Sequence, residues 1–329
     1  MPRVLLADSF AESRQILKCR RYPPTAMADQ YRLIGEQLGV DFSPTIRVLE
    51  LLPVFLSGRR HAEVRRAMAL GIASARERQQ RAAQQVIDRL PGLLAPGGRI
   101  ELMKEFVLPL WQAIAEANCV AGDAHLELVS DITRLFDSRL RLRERLRINE
   151  QVRAFIESAP ESVEQRLMTL GQNVLGVGPF TGSMAMSLHH VFSSNLNRPL
   201  SGLAYPASFP VSALPVTDRI VSNDTAEAAA DDVVVRRCVL HSKQFSTKEN
   251  EEALYGIGEH ACLGRPIAST VWSMVILKLG EIDRAIESST LTLAADAPES
   301  EDDFLSLGDP FVRPQSLHVQ VCAAGRSRN

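Results

Sequence analysis

Tyr255-Gly256-Ile257-Gly258-Glu259-His260-Ala261-Cys262-Leu263-Gly264-Arg265-Pro266-Ile267-Ala268 decides how this chain is read. Its first ten residues hold three glycines, one histidine and one cysteine, and it runs at once into the apolar Val271-Trp272-Ser273-Met274-Val275-Ile276-Leu277. Glycines at this density mark tight turns or a close approach of backbone to something flat. A cysteine just ahead of a helix sits where the helix N-terminus favours negative charge. In that setting a thiolate is held and binds metal. The plainer alternative is a glycine-rich turn with a structural cysteine.

The stretch resembles the haem-ligand loop of the cytochrome P-450 family, Phe-Gly-x-Gly-x-His-x-Cys-x-Gly. Tyr255 stands at the aromatic position, and Gly256, Gly258, His260, Cys262 and Gly264 match. The resemblance implies a mainly α fold with a small β part, a truncated cytochrome P-450-like domain over residues 1–329 that is short at its N-terminus. It implies haem b as cofactor, Cys262 as the axial thiolate on its iron, and Tyr255, Gly256, Gly258, His260 and Gly264 as part of the cofactor seat.

Composition narrows the partners. A chain of 329 residues is one large domain or two smaller ones. Hydrophobic residues make up 45% and charged residues 23%, ordinary for a globular protein. The net charge of −2 gives no bulk attraction to nucleic acid or to a membrane surface. The N-terminus is apolar for only a few residues before Asp8, too short for a signal peptide, and no apolar run reaches spanning length. Five scattered cysteines do not form a disulfide framework and point to a reducing cytoplasm.

Along the chain, residues 10–18 and 30–38 read as short helices, the first stopped before Tyr22-Pro23-Pro24. Val4 to Asp8 reads as the end of a sheet. Against the family pattern the chain starts late, which predicts an uncovered sheet edge that a second copy or partner covers. His61 and Arg65 are four apart and share one helix face, which suits a carboxylate. By itself such a face is a solvated basic surface; the resemblance assigns it to haem propionates. Arg59, Arg60, Arg66, Arg76, Arg78 and Arg81 make the region basic, either as a solvated surface or as a docking face for an acidic redox partner. Helices are predicted over 100–118 and 126–156, after a turn at Ala95-Pro96-Gly97-Gly98. Arg139, Arg141, Arg143, Arg145 and Arg147 are predicted to be exposed.

Residues 164–192 form a long apolar helical stretch interrupted by Gly176-Val177-Gly178-Pro179-Phe180-Thr181-Gly182. Pro179 removes one helical hydrogen bond, so a kinked core helix without a site is one reading. In the resembled family this helix crosses the distal face of the haem, with an acid followed by threonine. Aligned on Gly178, Phe180 stands at the acid position and Thr181 keeps the threonine, so Gly178 and Phe180 are distal-pocket candidates and Thr181 the catalytic candidate. Phe180 carries no proton, which favours peroxide use or chemistry that never cleaves dioxygen.

The family's Glu-x-x-Arg helix, whose ion pair braces the haem loop, is absent, since no glutamate occurs between Gly182 and Asp218. Arg219 on a predicted strand, 217–221, is either a surface arginine or the propionate arginine that the resemblance implies. Val233 to Val235 and Cys238 to His241 read as strands, His241 as structural or exposed, and 226–232 as a turn or helix stub. Residues 246–252 read as a polar loop, 268–286 as a helix, 291–293 and 316–321 as strands, 298–303 as an acidic loop and 323–329 as a flexible tail. The resemblance implies a haem-thiolate oxidoreductase acting on a small organic molecule, with a non-catalytic haem- or partner-binding relative as the alternative.

Overall fold

Ser9 starts the first helix: its hydroxyl accepts a hydrogen bond from the Glu12 amide, a standard N-cap. That helix is α1, Phe10–Lys18, and it follows strand β1, Arg3–Leu6. Helices α2 (Met27–Leu38), α3 (Ser43–Leu49), α4 (Gly58–Ile87) and the single turn α5 (Leu90–Leu93) come next. After β2 (Arg99–Glu101) come α6 (Leu108–Asn118), α7 (Leu126–Arg134), α8 (Leu142–Glu157) and α9 (Val163–Ser193). The chain continues with β3 (Val216–Ile220), β4 (Val234–Val239), α10 (Thr247–Ala253), α11 (Arg265–Gly280), β5 (Arg284–Leu293) and β6 (Pro314–Ala323). The chain is mainly α with a small β part. This computed structural model describes residues 3–7, 9–119, 125–137, 140–158, 163–213, 216–221, 234–240, 246–293 and 314–323. His241, the stretches 226–232 and 298–303, and all of the predicted tail except Ala323 lie outside the described residues; Ala323 closes β6.

The elements divide into two compact units. The first comprises Met1–Ser74, Asp123–Gly176 and Val216–Leu263; the second comprises Ala75–Gly122, Val177–Pro215 and Gly264–Asn329. The first unit contains the sheet β1-β4-β3, with β1 parallel and β3 antiparallel to β4. Among the described residues β1 pairs only with β4, so its outer edge is open, with Val4 and Leu6 exposed. Helix α1 lies on β4, where the buried Ser13 hydroxyl accepts from the Val239 amide at 3.1 Å and Glu12 pairs with Arg236. Helices α3 and α8 are tied by Thr45 Oγ1 donating to buried Asn149 Oδ1 at 2.9 Å.

The second unit contains the antiparallel sheet β2-β6-β5. Its packing centres on Trp272 of α11, fully buried, whose indole N–H donates to the Pro206 carbonyl at 2.9 Å. Burying an aromatic of that size contributes roughly 4–6 kcal/mol as an upper estimate.

Six local expectations are corrected. Residues 126–156 are not one helix: α7 stops at Arg134 and α8 starts after Arg141. Arg145, predicted to be exposed, is half-buried at the break, where its guanidinium satisfies the carbonyls of Leu140 and Asp137, each at 3.0 Å, and reaches the Tyr31 hydroxyl. Ile100 and Glu101 belong to β2, paired with Val319 and His318, and the Glu101 carboxylate accepts from the Met103 and Lys104 amides to start the helix that follows. The predicted polar loop at 246–252 is helix α10, opened by a capping box between Ser246 and Glu249. Residues 284–286 are strand β5, because α11 ends at Gly280. Helix α9 itself is continuous through Pro179 rather than interrupted.

Candidate functional site

The cysteine loop lies in the first unit, between α10 and Leu263. Gly256 and Gly258 both have left-handed backbone, φ +75° and +77°, which side-chain-bearing residues rarely adopt. The turns they make are closed by the Cys262 amide donating to the Tyr255 carbonyl at 2.6 Å and the Ala261 amide to the Gly258 carbonyl at 3.2 Å. The chain then leaves Cys262 with its side chain exposed, three residues before α11. Gly264 is the N-cap of α11 with ordinary φ −76°, and it opens the second unit.

Facing the loop is the first turn of α4. The His61 and His260 rings lie 4.3 Å apart between centroids, tilted by 42°. Both are inside: His61 is 4% exposed and the His260 side chain 7%. Among the described residues, His61 Nε2 and His260 Nδ1 have no hydrogen-bond partner. Burial pushes the His260 imidazole down to about 3, with Arg219, His61 and Arg65 adding to the effect and a hydrogen bond to the Pro53 carbonyl opposing it. Burial likewise lowers His61, helped by Arg65 and Arg219 and opposed by Glu259. Both rings are therefore neutral at pH 7.

Arg65, one turn beyond His61 as the four-residue spacing requires, donates to the Ala261 carbonyl inside the loop. Burial lowers its pKa, while the charges of Cys262 and Glu259 oppose that shift. Arg219 comes from β3 and is 4% exposed. Its Nη1 donates to Thr217 Oγ1 at 3.2 Å and to the Asp218 carbonyl at 2.9 Å, and no described carboxylate lies within ion-pair distance of it. Burial is the largest influence on this guanidinium and disfavours its charge. The arginine thus brings a buried positive charge to the field around the two histidines.

The structure therefore brings His61, Arg65, Arg219 and His260 into one electrostatic neighbourhood with the Cys262 loop. Sequence reading missed the backbone acceptors at Pro53 and Ala261, which leave no mark in residue type. It also missed Leu17 of α1, whose carbonyl lies against Gly258.

Gly178, Phe180 and Thr181 belong to the second unit. Phe180 is buried in an aromatic row: its ring lies 5.6 Å from Trp111 and 6.4 Å from Phe209, which lies 4.9 Å from Trp272. The Thr181 hydroxyl donates to the Val177 carbonyl of its own helix at 2.6 Å. A hydroxyl has one proton to give, so Thr181 retains only its lone pairs for another group. Gly178 is half-buried, and the Thr181 oxygen lies 3.4 Å from its carbonyl.

No family model matches the sequence, and no curated protein matches it. Solved structures do. The chain superposes on P450BioI in complex with hexadec-9Z-enoic acid ligated acyl carrier protein with TM-score 0.66 at 13% identity, covering 96% of this chain and 91% of that one. The chain has the cytochrome P-450 fold. CalO2 aligns at 16% identity with TM-score 0.65, covering 98% of this chain and 91% of the other. OxyB from teicoplanin biosynthesis, in complex with the X-domain, aligns at 15% identity with TM-score 0.63 over 96% and 92%. At such identities the cytochrome P-450 likeness concerns the fold, and the chemistry rests on the residues just described.

Proposed function

We propose that this protein is a haem-thiolate oxidoreductase acting on a small organic molecule. The observation that carries the proposal is a pair of buried nitrogens beside the cysteine loop, His61 Nε2 and His260 Nδ1, without a partner among the described residues, next to a buried Arg219 guanidinium that no described carboxylate pairs. Buried polar groups without partners cost free energy, about 1–3 kcal/mol each. A dianionic prosthetic group would give His61 Nε2, as its N–H tautomer, and the Arg219 guanidinium carboxylates to donate to. Its charge would favour the imidazolium form of His260, whose Nδ1–H could then donate as well. The residues present therefore fit haem and its two carboxylates. Haem, when bound, supplies the redox chemistry through its iron. Cys262 would supply the thiolate ligand, and Arg65, whose charge interacts with the cysteine, would help hold the thiolate form. His61, Arg65, Arg219 and His260 would hold the carboxylates, and Tyr255, Gly256, Gly258 and Gly264 would shape the seat.

The distal residues support altered oxygen or peroxide activation. Phe180 carries no proton, and the Thr181 proton is already given to Val177, so neither delivers one to a bound ligand. Turnover is expected with peroxide, or in a reaction that does not cleave dioxygen, and not with a reductase plus oxygen. The satisfied state of Thr181 also favours the second reading, a haem-binding relative without catalysis; absence of turnover on both routes despite full haem loading selects it.

Partners follow from charge. Arg59 and Arg81 of α4 are paired with Glu63 and Glu77, whereas Arg60 and Arg66 have no carboxylate partner among the described residues. An acidic redox partner would engage these two. P450BioI and OxyB, in complex with an acyl carrier protein and an X-domain, support a protein partner of some kind. The open β1 edge would take a second copy. No described helix is long and apolar enough to cross a membrane, and we place the protein in the cytoplasm. The deciding experiment is an absorption spectrum of the purified protein, oxidised and then reduced under CO, beside Cys262→Ser.

A further inference from the structure

A loop that presents a metal ligand needs a rigid support, and the segment between Gly182 and Asp218, where the resembled family carries its bracing Glu-x-x-Arg pair, holds no glutamate. The first unit offers another support. Helix α1 is fixed to β4 by Ser13, fully buried, accepting from the Val239 amide at 3.1 Å, and by the Glu12–Arg236 ion pair. Its other end meets the cysteine loop. A Cβ on Gly258 would lie 2.6 Å from the Leu17 carbonyl oxygen, 3.4 Å from its carbon and 3.6 Å from Lys18 Cα. Backbone is therefore packed on backbone, with no side chain able to move aside. Along the same helix, Arg14 Nε lies 2.8 Å from Glu252 Oε1 on α10, the helix that feeds directly into the loop. Arg20 approaches Glu259 only at 3.9 Å and is almost fully exposed, so it adds little.

We propose that α1 is the brace of the Cys262 loop, acting through the Leu17–Lys18 backbone on Gly258 and through Arg14 on Glu252. The proposal rests on the haem-thiolate reading of Cys262. These are positioning residues, since none is placed at the reacting atoms. The chain of support runs from β4 through α1 to the loop, and it is confined to the first unit.

Three glycines separate a brace from ordinary backbone strain. Gly39, Gly97 and Gly258 share positive φ of +65°, +79° and +77°. An added Cβ meets nothing within 4 Å at Gly39 or Gly97, and the α1 backbone at 2.6 Å at Gly258. Alanine at each therefore imposes similar strain, and only Gly258→Ala also pushes α1 from the loop. The readouts are the ferrous–CO Soret position of the haem-loaded full chain and hydrogen exchange of the Cys262 amide, which donates to the Tyr255 carbonyl.

Gly258→Ala is expected to lose most of the red-shifted thiolate band and to raise Cys262 amide exchange about ten-fold or more, the equivalent of roughly 1.4 kcal/mol. Gly39→Ala and Gly97→Ala keep the band, whatever their melting temperatures. Arg14→Glu speeds the exchange by up to about five-fold, the ceiling for an exposed ion pair, and adding Glu252→Arg to it restores the wild-type rate. Equal effects of all three glycine variants, or a charge swap that restores nothing, overturn the brace. Should Gly258→Ala fail to fold, the Arg14/Glu252 swap decides. A wild-type protein lacking any thiolate band refutes the haem-thiolate reading instead, while amide exchange still tests the brace.

Discussion

The cysteine loop and the Phe180–Thr181 segment of α9 are the two regions from which chemistry was expected, and they differ in what they leave unpaired. Around the loop, among the described residues, two buried imidazole nitrogens have no partner and a buried guanidinium has no carboxylate. Around Phe180 the side chains are spoken for: the phenyl ring is stacked into an aromatic row and the threonine proton belongs to Val177. Among the described residues only the Trp111 indole N–H is left buried without a partner there. Buried polar groups in native proteins are normally satisfied. The first region is thus shaped for an occupant, while the second reads as core.

The largest expected effect tests whether Phe180 is core. Phe180→Asp restores the acid at the family position, yet places a carboxylate between Trp111 and Phe209. Loss of the aromatic packing alone costs about 3–5 kcal/mol, and the buried charge adds to it. Thermal unfolding is expected to shift sharply downward, with no gain in oxygen-dependent turnover. A stable Phe180→Asp protein with restored oxygen use would make the segment an open pocket and erase the contrast.

Next comes the seat itself. Arg219→Leu removes a charge-assisted hydrogen bond to a carboxylate, about 1.5–3 kcal/mol, so haem retention is expected to weaken roughly 10- to 150-fold while the haem-free protein keeps its fold. Titration of haem into both proteins measures this. Unchanged affinity would return Arg219 to the role of a buried strand arginine.

Acidity offers a smaller handle. Burial keeps His61 below its ordinary value of 6.5, so the fold binds fewer protons there than the unfolded chain. Its contribution is fully present above pH 6.5 and is lost as pH falls below that value, with a slope of at most about 1.4 kcal/mol per pH unit. The haem-free protein should lose stability on acidification in this window, and His61→Gln should flatten the slope. A slope unchanged by the substitution removes His61 as its source. The smallest effect belongs to Thr181→Val, which keeps the shape and deletes one intrahelical hydrogen bond, about 1 kcal/mol or less. Peroxide-driven turnover is expected to stay within a few-fold of wild type, whereas a large loss would give Thr181 a direct catalytic part.

Much of this was written in residue order. Residues 10–18 were legible as α1 to the residue, and the spacing of His61 and Arg65 put both on one helix face. Other signals were present but outweighed. Ser246-x-x-Glu249 is a capping box, hidden by the polarity of its surroundings. Ile282 and Ile286 continue the helical spacing of α11, although Gly280 ends the helix and Ile286 pairs with Val321 in a sheet. Ile100 and Glu101 fit a helical period as well as a strand, and only β6 alongside settles which. The break between α7 and α8 depends on Arg145 finding Tyr31, a partner 114 residues away. At the site, the residue types announced themselves, but the acceptors at Pro53 and Ala261 and the close approach of Leu17 to Gly258 are backbone facts that no side chain encodes. Phe180 was legible as a missing acid, and its aromatic neighbours were not.

The central claim is that Cys262 is a thiolate ligand to haem, and it is tested most directly by the ferrous–CO spectrum of the purified protein beside Cys262→Ser. The account predicts the red-shifted Soret band of a thiolate complex in the wild type and its complete loss in the variant. A wild-type spectrum without that band, or a variant that retains it, would contradict the account.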